Sequence, residues 1–78
     1  MPADIPDWLL EERAAIGRRV RAAREDARLS QEQLAHVAGI ARHTVYRTEL
    51  GTHAASVDVL LRLAHALGVP LSRFTDGS

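Results

Sequence analysis

The sequence contains neither cysteine nor lysine, and its aromatic residues are one tryptophan, one tyrosine and one phenylalanine. Without cysteine the chain has no disulfide, no thiolate metal site and no thiol nucleophile. No apolar run approaches the length of a membrane span, and no signal-peptide pattern opens the chain. These absences favour a small cytoplasmic domain and argue against a membrane partner.

The motifs of enzymes and metal sites are also missing. There is no nucleophile elbow, no glycine-rich phosphate loop and no pair of histidines four residues apart. The histidines lie well apart in the chain, at His36, His43, His53 and His65. We therefore expect no enzyme activity, no metal, no cofactor and no small-molecule ligand.

The length and composition fit one small folded domain. The chain has 78 residues, of which 46% are hydrophobic and 26% are charged, ordinary values for a globular protein. A chain this short buries only about 60% of its unfolded surface, so little room is left for a substrate cleft.

The net charge of zero conceals an uneven distribution. Residues 13–53 contain eight arginines and four acidic residues, whereas the two ends together contain two arginines and six acidic residues. A positive centre with acidic ends fits a polyanion partner. It fits equally well a solvated, arginine-rich helix face.

The first predicted helix has apolar residues at three- and four-residue spacing, at Leu9, Ile16, Val20, Ala23 and Ala27. Gly17 interrupts the pattern, at a cost of about 1 kcal/mol relative to alanine, and Asp7 can cap the helix. Two alternatives follow: one long helix from residue 7 or 8, or a helix from about residue 13 behind a short extra turn. We divide the chain into 1–12, an N-terminal arm or helix extension, 13–75, the domain proper, and 76–78, a tail.

Start and stop signals divide the rest of the chain into four shorter helices. Three of these helices are followed by a glycine, at Gly39, Gly51 and Gly68. The second helix opens with a capping box of Ser30 and Gln33 and runs to Val37 or Ala38.

The third helix is predicted over 41–49, with Val45 facing inward. Ser56 caps a fourth helix with strong apolar periodicity, at Val57, Leu60, Leu61, Leu63, Ala64 and Leu67. Pro70 suits the first turn of a short fifth helix, and two residues of that helix would close it onto the core, Leu71 and Phe74. The sequence thus predicts an all-α fold.

Two short helices joined by a glycine-containing turn form the helix-turn-helix arrangement, whose second helix can enter a DNA major groove about 12 Å wide. The residues make the pattern specific: LSQEQLA at 29–35, AGI at 38–40, RHTVYR at 42–47 and VDVLLRLAHALGV at 57–69. Together they resemble the Cro/CI-type (XRE) family of helix-turn-helix regulators over about residues 13–75. The resemblance implies a compact five-helix bundle, the lambda-repressor-like DNA-binding domain.

The resemblance also implies a role for individual residues. Gln31 stands where the family fixes the module on the DNA backbone. Arg42, His43 and Arg47 stand where it reads base edges, and arginine can bind guanine through two hydrogen bonds. Further backbone contacts are expected from the third helix and the loop after it, at Thr44, Tyr46, Thr52 and His53. Apart from the resemblance, the arginines could simply be solvated surface residues.

Glu49 stands where family members commonly pair a glutamate with an arginine near the end of the first helix, and Arg24 matches the partner position. A pair of this kind locks the first helix to the third through two parallel hydrogen bonds. We expect the pair of Arg24 and Glu49 to be structural.

Four positions depart from the family pattern. Arg28 occupies a position that is usually glycine, so the first helix ends differently or carries a strained residue. Ala41 replaces the usual hydroxyl cap, a loss of about 1 kcal/mol. Thr48 replaces a large apolar residue, and Ala55 replaces a common proline. The loop after Gly51 carries no arginine or lysine, which predicts weak non-specific affinity for DNA.

The implied function is a sequence-specific repressor in the cytoplasm of a bacterium, or encoded by a phage, that binds a near-palindromic operator as a homodimer. The alternative is a protein-interaction or antitoxin-like module that reuses the fold. Trp8 would then lie in a partner interface, or it anchors the N-terminal segment to the core. For a dimer, the fifth helix and the N-terminal arm are the available surfaces, with Leu71 and Phe74 as candidates. We expect no effector domain to follow, which leaves protein level, dimerisation, a partner or proteolysis as means of regulation.

Overall fold

The structure, a computed structural model, describes residues 4–76. Over this range the chain forms five helices and no strand: α1 (Asp7–Asp26), α2 (Gln31–Ala38), α3 (Arg42–Leu50), α4 (Val57–Leu67) and α5 (Ser72–Thr75). The predicted all-α fold is confirmed. Within the described residues, no helix is both long and apolar enough to cross a membrane.

Helix α1 is one continuous helix from Asp7, so the longer of the two alternatives is the observed one. The prediction that Asp7 caps this helix is wrong. Pro6 holds the cap position without a side-chain hydrogen bond, and Asp7 is the first helical residue, where its carboxylate still meets the positive end of the helix dipole. The outer parts of the predicted arm and tail, 1–3 and 77–78, lie outside the described residues.

The predicted caps of α2 and α4 are present. The Ser30 hydroxyl accepts a hydrogen bond from the Gln33 backbone N–H at 3.0 Å, and the Gln33 side chain accepts one from the Ser30 N–H at 2.8 Å. The Ser56 hydroxyl accepts a hydrogen bond from the Val59 N–H at 3.1 Å. Ala41, by contrast, gives α3 no side-chain cap, as its missing hydroxyl predicts.

Two helix boundaries differ slightly from the prediction. Helix α3 is shifted by one residue toward the C-terminus, to Arg42–Leu50. Pro70 lies before α5 rather than in its first turn. The Pro70 carbonyl accepts a hydrogen bond from the Arg73 N–H at 3.0 Å. The proline therefore stabilises the first turn of α5 although it lies before the helix.

Each helix contributes one fully buried side chain to a single core: Val20, Leu34, Val45, Leu63 and Phe74. Phe74 has no exposed surface, so the prediction that it contributes to a dimer surface is wrong. Leu71 is partly buried against the same core. The four-residue helix α5 is therefore held inward by its own apolar residues.

Several apolar residues predicted to be buried are exposed instead. Trp8 is 64% exposed, so the prediction that it anchors the N-terminal segment to the core is wrong. On α4, Val57 and Leu61 also face solvent, although they belong to the periodic apolar pattern. The apolar stripe of α4 is wider than the surface that its neighbours cover.

Gly17 allows α1 and α3 to approach at backbone contact. A side chain at this position would begin 2.5 Å from the carbonyl oxygen of Thr48 and would also overlap the carbonyl of Glu49. Both obstacles are backbone atoms, which cannot move aside as a flexible side chain can. The glycine is thus required by the helix crossing, whatever it costs α1 in helix propensity.

We expect Gly17→Ala to lower the free energy of unfolding by about 1–3 kcal/mol, the usual effect of overpacking, although alanine is the better helix former by about 1 kcal/mol. Urea unfolding followed by circular dichroism measures the change. Ala22→Gly, on the exposed face of α1, is the control for propensity alone. A stabilised Gly17→Ala variant would contradict the close crossing.

Arg28 follows α1 in the left-handed conformation, with φ 59°, the one non-glycine residue of the described range with a positive φ. The Leu29 N–H donates to the Arg24 carbonyl at 3.2 Å and the Arg28 N–H to the Glu25 carbonyl at 3.0 Å, which is the hydrogen-bond pattern of a Schellman motif. Of the two alternatives for Arg28, the strained residue is the observed one.

Arg28→Gly relieves this strain, and we expect it to raise the free energy of unfolding by about 0.5–1 kcal/mol, because the penalty for a left-handed side chain exceeds the extra flexibility that glycine gives the unfolded chain. Thermal unfolding measures the gain. Arg28→Ala keeps the strain while removing the charge, so it should give no gain; an equal gain would assign the effect to the charge.

Candidate nucleic-acid interface

Helix α3 presents two sharply different faces. Val45, Thr48 and Glu49 are buried against the rest of the molecule. The opposite face carries exposed side chains at helical spacing, Arg42, His43, Tyr46, Arg47 and Leu50. A helix held by one face with its polar face free has the form needed to enter a groove of DNA.

The structure brings together the three residues predicted to contact bases. Arg42 and His43 open α3, and Arg47 lies one turn further along the same exposed face. Arg42, His43 and Tyr46 line a shallow depression at this end of the helix. Thr44 is half-buried at the edge of the face. The assignment of these residues to bases or backbone stays a prediction.

The predicted pair of Arg24 and Glu49 is formed. The Arg24 Nε donates to Glu49 Oε2 at 2.7 Å, and Nη2 donates to Glu49 Oε1 at 3.0 Å. The side chains are 12% and 4% exposed, so the pair is nearly dry. The hydrogen bond from Glu49 raises the pKa of Arg24 further above its ordinary value, against the opposing effect of burial. The guanidinium is therefore charged at every working pH.

Two further hydrogen bonds extend this pair. Arg24 Nη1 donates to the Leu29 carbonyl at 2.9 Å, in the turn between α1 and α2. The side-chain amide of Gln31 donates to Glu49 Oε1 at 3.0 Å. Sequence reasoning missed the Gln31 contact, for which the 18-residue separation gave no signal.

The contact fixes Gln31 at the first position of α2, beside α3. Arg24, Ser30, Gln31, Glu32 and Arg42 line one polar groove between the two helices. The hydrogen bond to Glu49 uses one of the two donors of the Gln31 amide and leaves the second donor and the oxygen for another partner. The contact of Gln31 with the DNA backbone stays a prediction.

The other two predicted backbone contacts lie in the loop after α3. Thr52 Oγ1 and His53 Nδ1 are 3.1 Å apart, and both residues are exposed. His53 also lies beside Leu9 and Arg13 of α1. A role for Thr52 and His53 in DNA binding stays a prediction. The described residues include no cluster of histidine and acidic side chains able to hold a metal ion.

The sequence of residues 15–74 matches the family described as "Helix-turn-helix domain". The chain belongs to this family. The match covers all of α2, α3 and α4, so the two-faced α3 is the second helix of a helix-turn-helix motif. The resemblance to Cro/CI-type regulators is thereby confirmed. No curated protein sequence matches the chain.

Solved structures of helix-turn-helix regulators are similar to this protein along most of its length. The restriction-modification controller protein C.AhdI from Aeromonas hydrophila is 33% identical, with a TM-score of 0.80, over 82% of this chain and 97% of that one. The hypothetical transcription factor NHTF from Neisseria is 30% identical, with a TM-score of 0.78, over 95% and 84%. The clp gene regulator ClgR from C. glutamicum is 25% identical, with a TM-score of 0.77, over 82% and 83%.

These similarities establish the general class of this protein. It is a helix-turn-helix DNA-binding protein of transcription regulation, and its relatives are regulators rather than members of an enzyme family.

Glu49→Ala leaves the Arg24 guanidinium buried without its carboxylate, so we expect the free energy of unfolding to fall by about 3–5 kcal/mol. The double variant Arg24→Met/Glu49→Leu removes both charges and should lose much less. Urea unfolding measures both.

Arg21→Ala is the matched control, because it breaks the exposed pair of Arg21 and Glu25 on α1 and should change stability by less than about 0.5 kcal/mol. Equal losses in Glu49→Ala and in the double variant would show that the isolated charge is not the source of the effect.

Proposed function

We propose that this protein is a repressor that binds a near-palindromic operator as a homodimer and reads bases with Arg42, His43 and Arg47. The observation that carries the proposal is the exposed face of α3. Among the described residues, these three side chains form no hydrogen bond or ion pair with the rest of the protein, so their donors remain available to a base edge.

The polar groove beside α3 supports the proposed docking. Gln31 lies at the start of α2, where helix N–H groups and the helix dipole favour an anion. Arg42 lies on the other side of the same groove. A phosphate bound here would place the start of α3 against the bases.

The lack of arginine and lysine in the loop after α3 supports a dimer on the DNA. The loop between α3 and α4 supplies no arginine or lysine, which limits the number of phosphates that one copy neutralises and hence its affinity. A two-fold dimer reads two half-sites about one helical turn apart and doubles these contacts. Repression then follows when the occupied site overlaps a promoter.

A second candidate function is a protein-interaction or antitoxin-like module. The observation that favours it is the exposure of apolar residues away from α3, at Ile5, Trp8 and Leu10. Protein interfaces are enriched in such aromatic residues. This candidate needs a protein partner but no specific DNA sequence.

Titration of the purified protein against the DNA that flanks its own gene, at two salt concentrations, tests the DNA-binding proposal. We expect specific binding to exceed binding to random DNA by about a hundredfold or more, and to weaken with salt. Arg47→Ala should lose about 5- to 150-fold in specific affinity while keeping its weak binding to random DNA, because a two-bond contact with guanine is worth about 1–3 kcal/mol.

Arg18→Ala is the matched control. Arg18 is also an exposed arginine without an ion pair among the described residues, but it belongs to α1 and not to α3. If Arg18→Ala and Arg47→Ala lowered the affinity equally, Arg47 would contribute only its positive charge and would not read a base. Absence of any preferred sequence in a selection from random DNA would favour the interaction module.

A further inference from the structure

The structure contains an apolar groove on the side of α3 that packs against α1, apart from the exposed face of α3. It lies between α1, the end of α3, the loop after α3 and the start of α4, and it has a volume of about 220 Å³. The residues that line it are Leu9, Arg13, Ile16, Thr48, His53, Ala54, Ala55 and Leu60. An apolar cavity of about 150 Å³ accommodates benzene, so this groove has room for one large aromatic side chain.

Two of the departures from the family pattern converge on this groove. Thr48 stands where a large apolar residue is usual and Ala55 where proline is common, and both line the groove. The Thr48 hydroxyl donates to the Thr44 carbonyl at 2.7 Å, so it is turned back onto its own helix. Smaller side chains at these two positions open space that the family pattern would fill.

The largest exposed apolar side chain of the described residues lies next to this groove in sequence. Trp8 is 64% exposed and precedes Leu9, which lines the groove. Ile5, just before α1 begins, is also exposed. The N-terminal half of α1 therefore carries an exposed indole one residue before a side chain that lines an unfilled apolar groove.

The charges of the two features are complementary. The segment around Trp8 carries four carboxylates, and none of them forms an ion pair with another described residue: Asp4, Asp7, Glu11 and Glu12. The groove holds the half-buried Arg13, which likewise has no carboxylate at ion-pair distance within the described part of the chain. His53 lines the same groove.

We propose that the groove binds Trp8 of a second copy of this chain, so that two copies exchange their tryptophans reciprocally. A two-fold interface requires one patch that is complementary to itself, and a tryptophan beside a groove meets that requirement, because each indole crosses the axis into the other groove. The carboxylates around one Trp8 then meet Arg13 and His53 of the other copy. This inference rests on the proposed homodimer and assigns its interface.

Nucleic acid is a poor occupant for this surface. Four carboxylates precede Arg13 with no basic residue among residues 4–12, so the segment repels phosphates. An aromatic residue set in acidic surroundings instead fits a groove that is apolar inside and carries basic groups.

Trp8 is the single tryptophan of the chain, so its fluorescence reports its own burial directly. In sedimentation experiments across the micromolar range, without DNA, we expect a monomer–dimer equilibrium. The emission should shift to the blue, and acrylamide quenching should fall, in step with the dimer fraction. Added salt should weaken the dimer because the carboxylates and basic groups attract each other.

Variants locate the interface. Trp8→Ala, at a mostly exposed position, should keep the fold and weaken dimerisation by at least about 30-fold, as expected for a central aromatic anchor. Ala54→Glu should also abolish the dimer, since it fills the groove and repels the acidic segment. Ala54→Gln, with the same bulk but no charge, should weaken the dimer less. Circular dichroism checks that each variant is folded.

A mixture of Trp8→Ala and Ala54→Glu gives the sharpest result. Each variant alone lacks one half of the contact, but in the mixture the intact Trp8 of one chain can enter the intact groove of the other, so we expect weak heterodimers. Val37→Ala is the matched control, because Val37 is 59% exposed on α2 and does not line the groove. It should leave the dimer unchanged.

Four outcomes would overturn the proposal. A dimer that survives Trp8→Ala, or that forms without any change in Trp8 emission, would use another surface. A monomer at every concentration, binding DNA as one copy per site, would remove the dimer itself. A blue shift that occurs only when DNA is added would place Trp8 at the DNA. None of these outcomes affects base reading by α3, which the Arg47→Ala titration tests separately.

Discussion

The buried carboxylate of Glu49 is the interaction on which the rest of the structure depends. It accepts two hydrogen bonds from Arg24 and one from Gln31, so one group joins α1, α2 and α3. The backbone at the same point packs against Gly17 without an intervening side chain. A buried ion pair is weak evidence for added stability, because desolvation offsets the attraction. Its clearer consequence is geometric: α3 can pack at only one rotation about its axis and at one depth against α1.

This fixed geometry separates the residues that hold α3 from the residues that face solvent. Val45 and Glu49 point inward, and their replacement changes the fold. Arg42 and Arg47 point outward and form no hydrogen bond within the described residues, so their replacement alters what the helix can bind. Within this nine-residue helix, the inward side chains therefore determine stability and the outward side chains determine base preference. A scaffold of this kind can support many operators, which is why the fold by itself does not name the sequence that is bound.

The features predictable from the sequence are those with local causes. Ser30, Gln33 and Ser56 cap helices within three residues of themselves, and the apolar spacing defines each helix. The ion pair of Arg24 and Glu49 came from the family resemblance. What could not be predicted depends on contacts between distant segments. The sequence shows only that Gly17 lowers the helix propensity of α1, whereas its backbone contact with α3 depends on the folded chain. Val57 and Leu61 belong to the apolar pattern of α4 and yet are exposed, because periodicity gives the direction of an apolar face and not the extent to which neighbouring helices cover it.

Charge separation along the molecule explains how a protein of zero net charge can bind DNA. Asp7 lies ten residues before Gly17 on α1, about 15 Å along the helix axis. This distance exceeds the Debye length of about 8 Å at physiological ionic strength, so the charge of Asp7 is largely screened from the point where α3 crosses α1. Arg42 lies at the opposite end of α3 from that crossing. The net charge of zero therefore conceals two different surfaces. The exposed face of α3 attracts a polyanion, whereas the acidic start of α1 repels one and is available to contact protein.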